Sequence, residues 1–338
     1  PALGFHGLCK ITFYPHVTAL SGAGVGGGSL VYANTLPIPE DEFFRAGPWA
    51  GLADWKRELE GHYATVRRML GAVENPLSTL PDQVLKEIGE ELGRPHTPTT
   101  VAVHFGAPGV TVDDPYFGGQ GPKRTGCTSC GGCMLGCRVG AKNTLDQNYL
   151  YLAEKRGLVI QPESRVTDVR PLEGGGYELA IESSIGLFKK RRTLRARGVV
   201  ISAGSYGSVN LLMRCKERGT LGKLSSQLGR YLRTNSEAIL SVRSGRDDDD
   251  YSKGIAITSG VYVDDKTHIE IVRYSKGSDA LAPLATVLTD GGGWLPRPLR
   301  WLGTIFRHPL QFLRSVVPFG WAQKTAIRRL MNADPLSS

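Results

Sequence analysis

The sequence predicts a mixed α/β fold, of the α+β kind, in which a nucleotide-binding part is combined with a part built from antiparallel strands. Five glycines within residues 22–28 favour close approach of the backbone to a cofactor. An apolar run at 198–201 leads into a loop of small residues and a predicted helix through Leu212, which is typical of phosphate sites. Apolar and β-branched runs between 254 and 274 predict the strands of the other part.

Composition places the chain among globular proteins. Its 338 residues are enough for two domains, 41% are hydrophobic and 22% are charged. No run of about 18 apolar residues occurs, so we expect no membrane-spanning helix. The net charge of +9 is concentrated at 189–197 and 297–329 without a nucleic-acid-binding motif, so we expect no nucleic acid partner. Clustered cysteines without a wider disulfide framework favour a reducing, cytoplasmic compartment.

Local patterns predict the order of the elements. Apolar residues recur at three- and four-residue steps over 55–70 and predict a helix there. The spacing Thr144-x-x-Gln147 predicts a capping box that begins another helix. Further helices are predicted at 40–46, at 81–93 and through Leu212, and strands at 9–20, 158–161, 165–172, 177–182, 192–197, 198–201, 254–257, 261–263 and 268–274.

The glycine run contains the bare pattern of a dinucleotide fingerprint, Gly22-x-Gly24-x-x-Gly27. A true fingerprint opens a long helix of a βαβ unit and is followed by a second parallel strand. Here the prolines within residues 35–39 end the helix early and no second strand follows, so we reject the simple Rossmann interpretation. Five glycines leading into a short helix still suit a backbone that lies flat against a large planar or phosphorylated cofactor.

Four blocks of sequence resemble one known family. Residues 24–34, Gly-Val-Gly-Gly-Gly-Ser-Leu-Val-Tyr-Ala-Asn, resemble the flavin-contacting segment of glucose–methanol–choline (GMC) oxidoreductases, in particular the cholesterol oxidase-like branch. Blocks at 140–150, 199–212 and 228–236 resemble later parts of the same family in the same order. The resemblance therefore covers nearly the whole chain.

The resemblance implies FAD as the cofactor and an incomplete FAD-binding domain formed by residues 1–36 and 127–240. Residues 37–126 and 241–338 would then form an antiparallel-sheet substrate domain with a lid. Cofactor contacts are implied at Gly24, Val25, Gly26, Gly27, Gly28, Ser29, Tyr32, Ala33, Asn34, Val166, Ala203 and Gly204.

The same resemblance implies a reaction. An FAD-dependent enzyme of this kind oxidises the CH–OH group of a sterol or other bulky apolar alcohol by hydride transfer to flavin N5, with or without double-bond isomerisation. Oxygen or another acceptor then takes the electrons. The family's first FAD fingerprint and its carboxyl-terminal catalytic histidine have no counterpart in residues 1–338. We therefore expect an internal fragment that is inactive by itself.

Glu270 is the candidate catalytic residue. The resemblance implies a glutamate on a substrate-domain strand that moves a proton during isomerisation, and residues 268–274 match that strand by pattern. Ile269 and Ile271 flank Glu270, and burial would raise the pKa of its carboxyl group, as suits a base. The alternative is that strand alternation turns Glu270 to solvent or pairs it with Arg273.

The cysteine loop (residues 127–137) contains Cys127, Cys130, Cys133 and Cys137 in ferredoxin-type C-x2-C-x2-C-x3-C spacing. One interpretation is a 4Fe–4S cluster, which would make the chain an iron–sulfur electron-transfer module within a flavin alcohol dehydrogenase. The other is a tight loop of reduced structural thiols. A single ferredoxin run gives three ligands to one cluster, and the fourth cysteine normally serves another. From the sequence we therefore favour reduced structural thiols over a cluster. The spacing also disfavours a structural zinc site, which usually has two separated pairs of ligands.

Aromatic residues and arginines alternate over 294–324, and two short helices are predicted in 294–331. This composition is typical both of an interfacial membrane segment and of a lid over an apolar pocket. We expect a lid surface that makes peripheral contact with membranes.

Overall fold

The computed structural model describes residues 7–14, 17–47, 49–186, 188–230, 237–246, 248–291 and 294–332. The chain folds as two compact units. The first unit comprises Pro1–Tyr32 and Thr144–Thr234, and the second comprises Ala33–Asn143 and Asn235–Ser338. The cysteine loop, expected in the cofactor domain, falls in the second unit. The end of the fourth family block, residues 233–236, lies outside the described residues.

The two units contain both helices and strands. The helices are α1 (Asp41–Arg45), α2 (Trp55–Met69), α3 (Leu80–Glu91), α4 (Tyr149–Glu154), α5 (Gly204–Glu217), α6 (Arg297–Arg307), α7 (Pro309–Val316) and α8 (Trp321–Lys324). The strands are β1 (Cys9–Phe13), β2 (Thr18–Gly22), β3 (Val73–Glu74), β4 (His96–Pro98), β5 (Thr100–Val101), β6 (Thr111–Val112), β7 (Arg124–Thr125), β8 (Ser164–Pro171), β9 (Tyr177–Ser183), β10 (Arg191–Ala196), β11 (Glu237–Arg243), β12 (Ile257–Tyr262), β13 (Thr267–Val272) and β14 (Thr325–Asn332).

The first unit combines a hairpin, a small sheet and a helix. Strands β1 and β2 form the antiparallel hairpin, and β8, β9 and β10 form a three-stranded antiparallel sheet. Helix α5 packs along β8, where the Arg218 guanidinium donates a hydrogen bond of 3.0 Å to the Thr167 carbonyl. Cys215 on α5 and Val169 on β8 are both buried.

Several local predictions in the first unit are wrong. Residues 158–161 and 198–201 form no strand, and Val200 is 89% exposed. A short apolar run becomes a strand only where a partner backbone satisfies its amides and carbonyls, and no described strand pairs with either run. Helix α4 does not begin at a Thr144 capping box. It is capped by Asn148, whose side chain accepts a hydrogen bond from the Tyr149 amide.

The second unit is built on a five-stranded antiparallel sheet with the order β11–β14–β13–β12–β4. Helix α3 packs against it, and Leu85, Val261 and Ile271 are fully buried in the resulting core. The hydrophobic period of α3 makes this possible, since Leu85 lies on its apolar face and its Thr79 capping box fixes where the helix begins. The strands predicted at 261–263 and 268–274 are thus confirmed as parts of β12 and β13, the central strands of an antiparallel sheet. The strand predicted at 254–257 is wrong, since residues 254–256 precede β12 and only Gly254 makes an isolated bridge.

A buried ion pair joins α3 to this sheet. The Asp82 carboxylate lies 3.7 Å from the Arg273 guanidinium, and both side chains are 2% exposed. Asp82 also accepts hydrogen bonds from the hydroxyls of Thr258 and Ser259. Burial would raise the pKa of Asp82, but these hydrogen bonds and the Arg273 charge outweigh it and lower that pKa.

The two short helices predicted near the carboxyl end are α6 and α7. Phe306 is 82% exposed and Leu310 is 70% exposed, so the apolar face of this helix pair is open to solvent. None of the described helices is long and apolar enough to cross a bilayer. Strand β14 follows directly after α8 and was not predicted.

Candidate functional site

The glycine segment leaves β2 and turns sharply into a short 3₁₀ helix. Gly24, Gly26 and Gly27 have φ angles of 155°, 102° and 58°, a region that L side chains rarely adopt. The Ser29 hydroxyl holds the turn in place. It donates to the Gly26 carbonyl over 2.7 Å and accepts from the Leu145 amide over 2.9 Å. Both hydrogen bonds lie within the first unit.

One face of the glycine segment is bare backbone. No described heavy atom lies within 4 Å of the position that a Cβ would take at Gly27 or Gly28. Beside it, Oδ1 of Asp146 lies 3.1 Å from the Cβ position of Gly26. This oxygen is buried and has no hydrogen-bond partner among the described residues. The segment therefore offers a flat open surface and an unsatisfied acceptor, which fit a planar cofactor that carries hydrogen-bond donors.

The second unit also contains a buried polar group without a hydrogen-bond partner among the described residues, the side-chain amide of Asn34. Its side chain is fully buried, its φ is 59°, and neither amide atom has a hydrogen-bond partner within the described part of the chain. The Asn34 carbonyl accepts a hydrogen bond from the Ala102 amide, which fixes the backbone after Ala33. A buried amide without partners is costly unless a ligand satisfies it, so Asn34 fits a polar group of FAD.

The remaining implied contacts lie in the first unit. Val25 and Tyr32 flank the glycine segment, and Val166 lies on β8 beside a bulge. Ala203 and Gly204 form the exposed amino-terminal end of α5, where the Ser208 hydroxyl accepts the Ala203 amide over 3.1 Å. A helix of this length concentrates partial positive charge at that end, which suits a phosphate group.

Glu270 is buried in the middle of β13. Its side chain is 3% exposed, and Oε2 has no hydrogen-bond partner among the described residues. Burial raises the pKa of this carboxyl group to about 7. Of the two placements left open by the sequence, solvent exposure is therefore wrong, and so is pairing with Arg273, which lies against Asp82.

Glu270 has two ionisable neighbours, His268 on its own predicted strand and Arg329 from a part of the sequence that gave no indication of it. The Nδ1 atom of His268 lies 3.8 Å from Glu270, and the His268 ring stacks on Tyr262 with centroids 4.3 Å apart. Burial lowers the pKa of His268, which favours a neutral ring. The Arg329 guanidinium, on the unpredicted strand β14, also lies 3.8 Å from Glu270. It makes a closer ion pair with Glu237 on β11.

The cysteine loop brings its four thiols around one small cavity. The lining consists of the four cysteines together with Val103, Gly131, Gly132, Val139, Ala141, Lys142 and Gly254. Two backbone hydrogen bonds with Gly254 hold the loop in place. The Gly131 amide donates to the Gly254 carbonyl, and the Gly254 amide donates to the Ser129 carbonyl, each over 2.8 Å. All four cysteines are free thiols.

The thiols differ in their surroundings. Cys133 is 7% exposed, and burial raises its pKa to about 12, while burial also raises the pKa of Cys127. Lys142 is 1% exposed and its ammonium group donates to the Cys133 carbonyl over 2.7 Å. No group of three or more histidine, cysteine or acidic side chains among the described residues is placed to hold a single metal ion.

Comparisons with known proteins agree with the geometry. A family model described as GMC oxidoreductase matches residues 7–233. A cholesterol oxidase from Acinetobacter baumannii is 45% identical over 349 residues, which cover 100% of this chain and 63% of that protein. Cholesterol oxidases from Mycobacterium tuberculosis strains CDC 1551 / Oshkosh and H37Rv are each 44% identical over 345 residues, covering 98% of this chain and 60% of theirs. The chain thus spans about three-fifths of the length of these relatives.

Proposed function

The chain belongs to the GMC oxidoreductase family, and from this premise we propose that the protein oxidises the hydroxyl group of a sterol or similar bulky apolar alcohol with FAD. The observation that carries the proposal is the bare backbone face at Gly27 and Gly28, which leaves room for a flat cofactor. Similarity to cholesterol oxidases over the whole chain supports the choice of a sterol over a small alcohol.

Residues of this chain would hold FAD by backbone and amide contacts. Within the first unit, the glycine segment would lie against the cofactor and the start of α5 at Gly204 would take a phosphate group. In the second unit, the buried Asn34 amide is proposed by itself as a contact to a polar group of FAD. When bound, FAD supplies the hydride acceptor for alcohol oxidation. The role of the chain is to orient the cofactor, and a hydrogen-bond donor of the cofactor would satisfy the buried acceptor of Asp146.

Glu270 is proposed as the group that moves a proton at the substrate. A carboxyl group whose pKa is about 7 is present in both protonation states near neutral pH, which is the condition for efficient general acid–base catalysis. Its burial beside the neutral ring of His268 supports a role inside a water-poor pocket. In a sterol this proton transfer would carry the double-bond isomerisation that follows oxidation.

The helix pair α6–α7 is proposed to rest on the membrane that contains the substrate. Its exposed apolar side chains include Phe306 and Leu310, and Arg300 and Arg307 border them. An apolar face bordered by arginines is typical of a segment that lies in the membrane interface and attracts anionic lipids. Extraction of a water-insoluble alcohol would require such a contact.

The reaction is tested with the FAD-loaded, full-length protein under anaerobic conditions. Mixing with cholesterol in detergent micelles should bleach the flavin absorbance, whereas a short primary alcohol at the same concentration should not. Absence of bleaching with any sterol would contradict the proposed substrate class.

The proposed role of Glu270 is tested by separating the two steps. Glu270→Gln should retain flavin bleaching by cholesterol and lower the rate of isomerisation by about 100-fold or more. Glu87→Gln, at a solvent-exposed position on α3, is the matched control and should change neither step. An isomerisation rate that survives in Glu270→Gln would remove Glu270 from the mechanism.

Electron transfer through a cysteine-bound cluster, within a flavin alcohol dehydrogenase, is the second candidate. In this candidate the cluster, and not oxygen, accepts the electrons of the reduced flavin. The candidate therefore requires that the cysteine loop bind a cluster. The observation in its favour is the convergence of the loop's thiols on one cavity.

A further inference from the structure

The four cysteines of the cysteine loop face a common centre, although the sequence spacing predicted that the fourth would serve another site. Cys137 lines the same small cavity as the first three, and neither Cys9 nor Cys215 contributes to its lining. A loop of purely structural thiols has no need of this convergence.

The backbone around the loop donates hydrogen bonds to sulfur. The Ser129 amide donates to Sγ of Cys127 over 3.4 Å, and the Lys142 amide donates to Sγ of Cys137 over 3.4 Å. The Ala256 amide is also hydrogen-bonded to Cys133. Amides directed at sulfur stabilise the anionic thiolates that ligate iron, and they tune iron–sulfur clusters in general.

A buried positive charge lies beside the same cavity. The Lys142 side chain is 1% exposed and lines the cavity together with the thiols. A fully buried ammonium group is costly unless negative charge lies near it. Four thiolates around a 4Fe–4S core carry a net negative charge, and an ammonium group at the edge of the same cavity would stabilise that charge.

The arrangement does not suit a single ion. Zinc binds four thiolates at about 2.3 Å from each sulfur, which draws the ligands tightly together. Within the described residues no three such ligands are close enough to hold one metal ion, although all four cysteines line the cavity. A cube of iron and sulfide spreads its four cysteine ligands over a larger span than one ion does.

We propose that the cysteine loop is the ligand set of one 4Fe–4S cluster, with one iron bound by each of its four cysteines. Each thiol loses its proton on binding. The buried Lys142 is the charge partner of the cluster, and Gly131, with its φ of 69°, lets the loop turn tightly enough to direct Cys130 and Cys133 to the same centre. The cluster adds to the proposed function and stands whether or not the protein oxidises a sterol.

The test uses the full-length protein purified without oxygen and, in parallel, the same protein reconstituted with ferrous iron and sulfide. We expect about four iron and four acid-labile sulfide per chain. We also expect an electron paramagnetic resonance signal from a reduced cluster after dithionite treatment, which distinguishes the cluster from flavin. Zinc in place of iron, or absence of iron and sulfide after reconstitution, overturns the proposal.

Substitutions of single cysteines test which of them bind the cluster. Cys130→Ser and Cys137→Ser should each lower bound iron at least severalfold, and Cys9→Ser is the matched control that should leave it unchanged. Alkylation of the unaltered protein keeps the test independent of folding in the variants. The thiols of the cysteine loop should resist iodoacetamide until a chelator removes the iron, and then react together. Equal reactivity before and after chelation overturns the proposal.

Discussion

Glu270 on β13 is paired in register with Arg329 on β14, yet the guanidinium nitrogen and the carboxylate oxygen of this pair are 3.8 Å apart. The arginine is held by Glu237 on the next strand, which makes the closer ion pair. Glu270 therefore lies beside a cation without being neutralised by it. This explains how a buried carboxyl group with an arginine nearby keeps a pKa of about 7.

Glu270 should make the stability of the protein depend on pH. Burial raises its pKa from 4.5 to about 7, so the folded state binds a proton that the unfolded state has already released. Stability is then full below pH 4.5 and falls as the pH rises through 7. Glu270→Gln removes the titration, and above pH 7 the variant should exceed the unaltered protein by about 3 kcal/mol in free energy of unfolding.

Chemical denaturation at pH 4.5 and pH 8 measures this difference. The two proteins should be nearly equal at the lower pH and differ at the higher one. Glu87→Gln, on the exposed surface of α3, should show the same stability as the unaltered protein at both values. A stability gap of the same size at both pH values would mean that packing, and not the charge of Glu270, is responsible.

The burial of Glu270 and its neighbour His268, two residues away on the same strand, could be anticipated from the sequence, while Arg329 could not. Ile269 and Ile271 indicated a buried strand, and β13 is central in the sheet. Arg329 belongs to a stretch of basic and aromatic residues that predicted helices only. Its strand is specified by pairing with β11 and β13, and such long-range contacts leave little local pattern.

The glycine segment was likewise predictable from the sequence only in part. Its density of glycines predicted an open backbone, and the φ angles of Gly24, Gly26 and Gly27 explain that density. The unsatisfied Oδ1 of Asp146 lies within the second family block, yet no local pattern there indicated it. Its importance depends on a turn that the Ser29 hydroxyl holds through Leu145, which only the folded chain reveals.

A side chain at residue 28 should be compatible with folding of the protein but not with binding of FAD. The φ of Gly28 is not in the left-handed region and no described heavy atom is within 4 Å of its Cβ position, so the backbone of Gly28→Leu is unstrained and its Cβ meets no described atom. That side chain would occupy the face on which FAD is proposed to lie. We expect flavin content to fall at least tenfold, measured by absorbance after purification, with an unchanged circular dichroism spectrum.

Gly61→Leu is the matched control for Gly28→Leu. Gly61 lies on α2, and the space around its Cβ position is equally open among the described residues. Because leucine favours a helix interior over glycine, this variant should keep its flavin and gain about 0.5–1 kcal/mol of stability. Equal flavin content in the two variants would place the cofactor away from Gly28.

Charge reversal on α6 should weaken binding to anionic membranes. Each arginine near an anionic surface contributes about 1 kcal/mol, so Arg300→Glu with Arg307→Glu should reduce flotation with phosphatidylserine vesicles at least tenfold. Arg57→Glu with Arg68→Glu makes the same charge change on α2 and should have little effect. Unchanged flotation of the α6 variant would remove the electrostatic part of the membrane proposal.

The apolar part of that contact has its own prediction. Phe306→Ser with Leu310→Ser should reduce flotation with both neutral and anionic vesicles, because it removes apolar area that is now exposed to water. The charge-reversed variant should lose flotation only with the anionic vesicles. If neither serine substitution matters, the helix pair serves as a lid over the substrate and does not rest on lipid.

Removal of one partner from the buried pair between α3 and the sheet should be far more costly than removal of both. Asp82→Ala leaves the Arg273 guanidinium buried and uncompensated, and we expect it to lower the free energy of unfolding by about 3–5 kcal/mol. Asp82→Leu combined with Arg273→Met buries no lone charge and should lose less. Thr79→Ala removes the helix cap and the hydrogen bonds of its hydroxyl with Asp82 and Arg273, but it leaves the ion pair and should cost about 2 kcal/mol.

Denaturation midpoints of the full-length variants give the ranking of these three changes. The order follows from desolvation: a lone guanidinium at 2% exposure has no water to replace the carboxylate, whereas the apolar pair fills the same space without charge. A double variant that is as unstable as Asp82→Ala would show that the hydrogen bonds of Thr258 and Ser259 to Asp82, and not the ion pair, fasten α3 to the sheet.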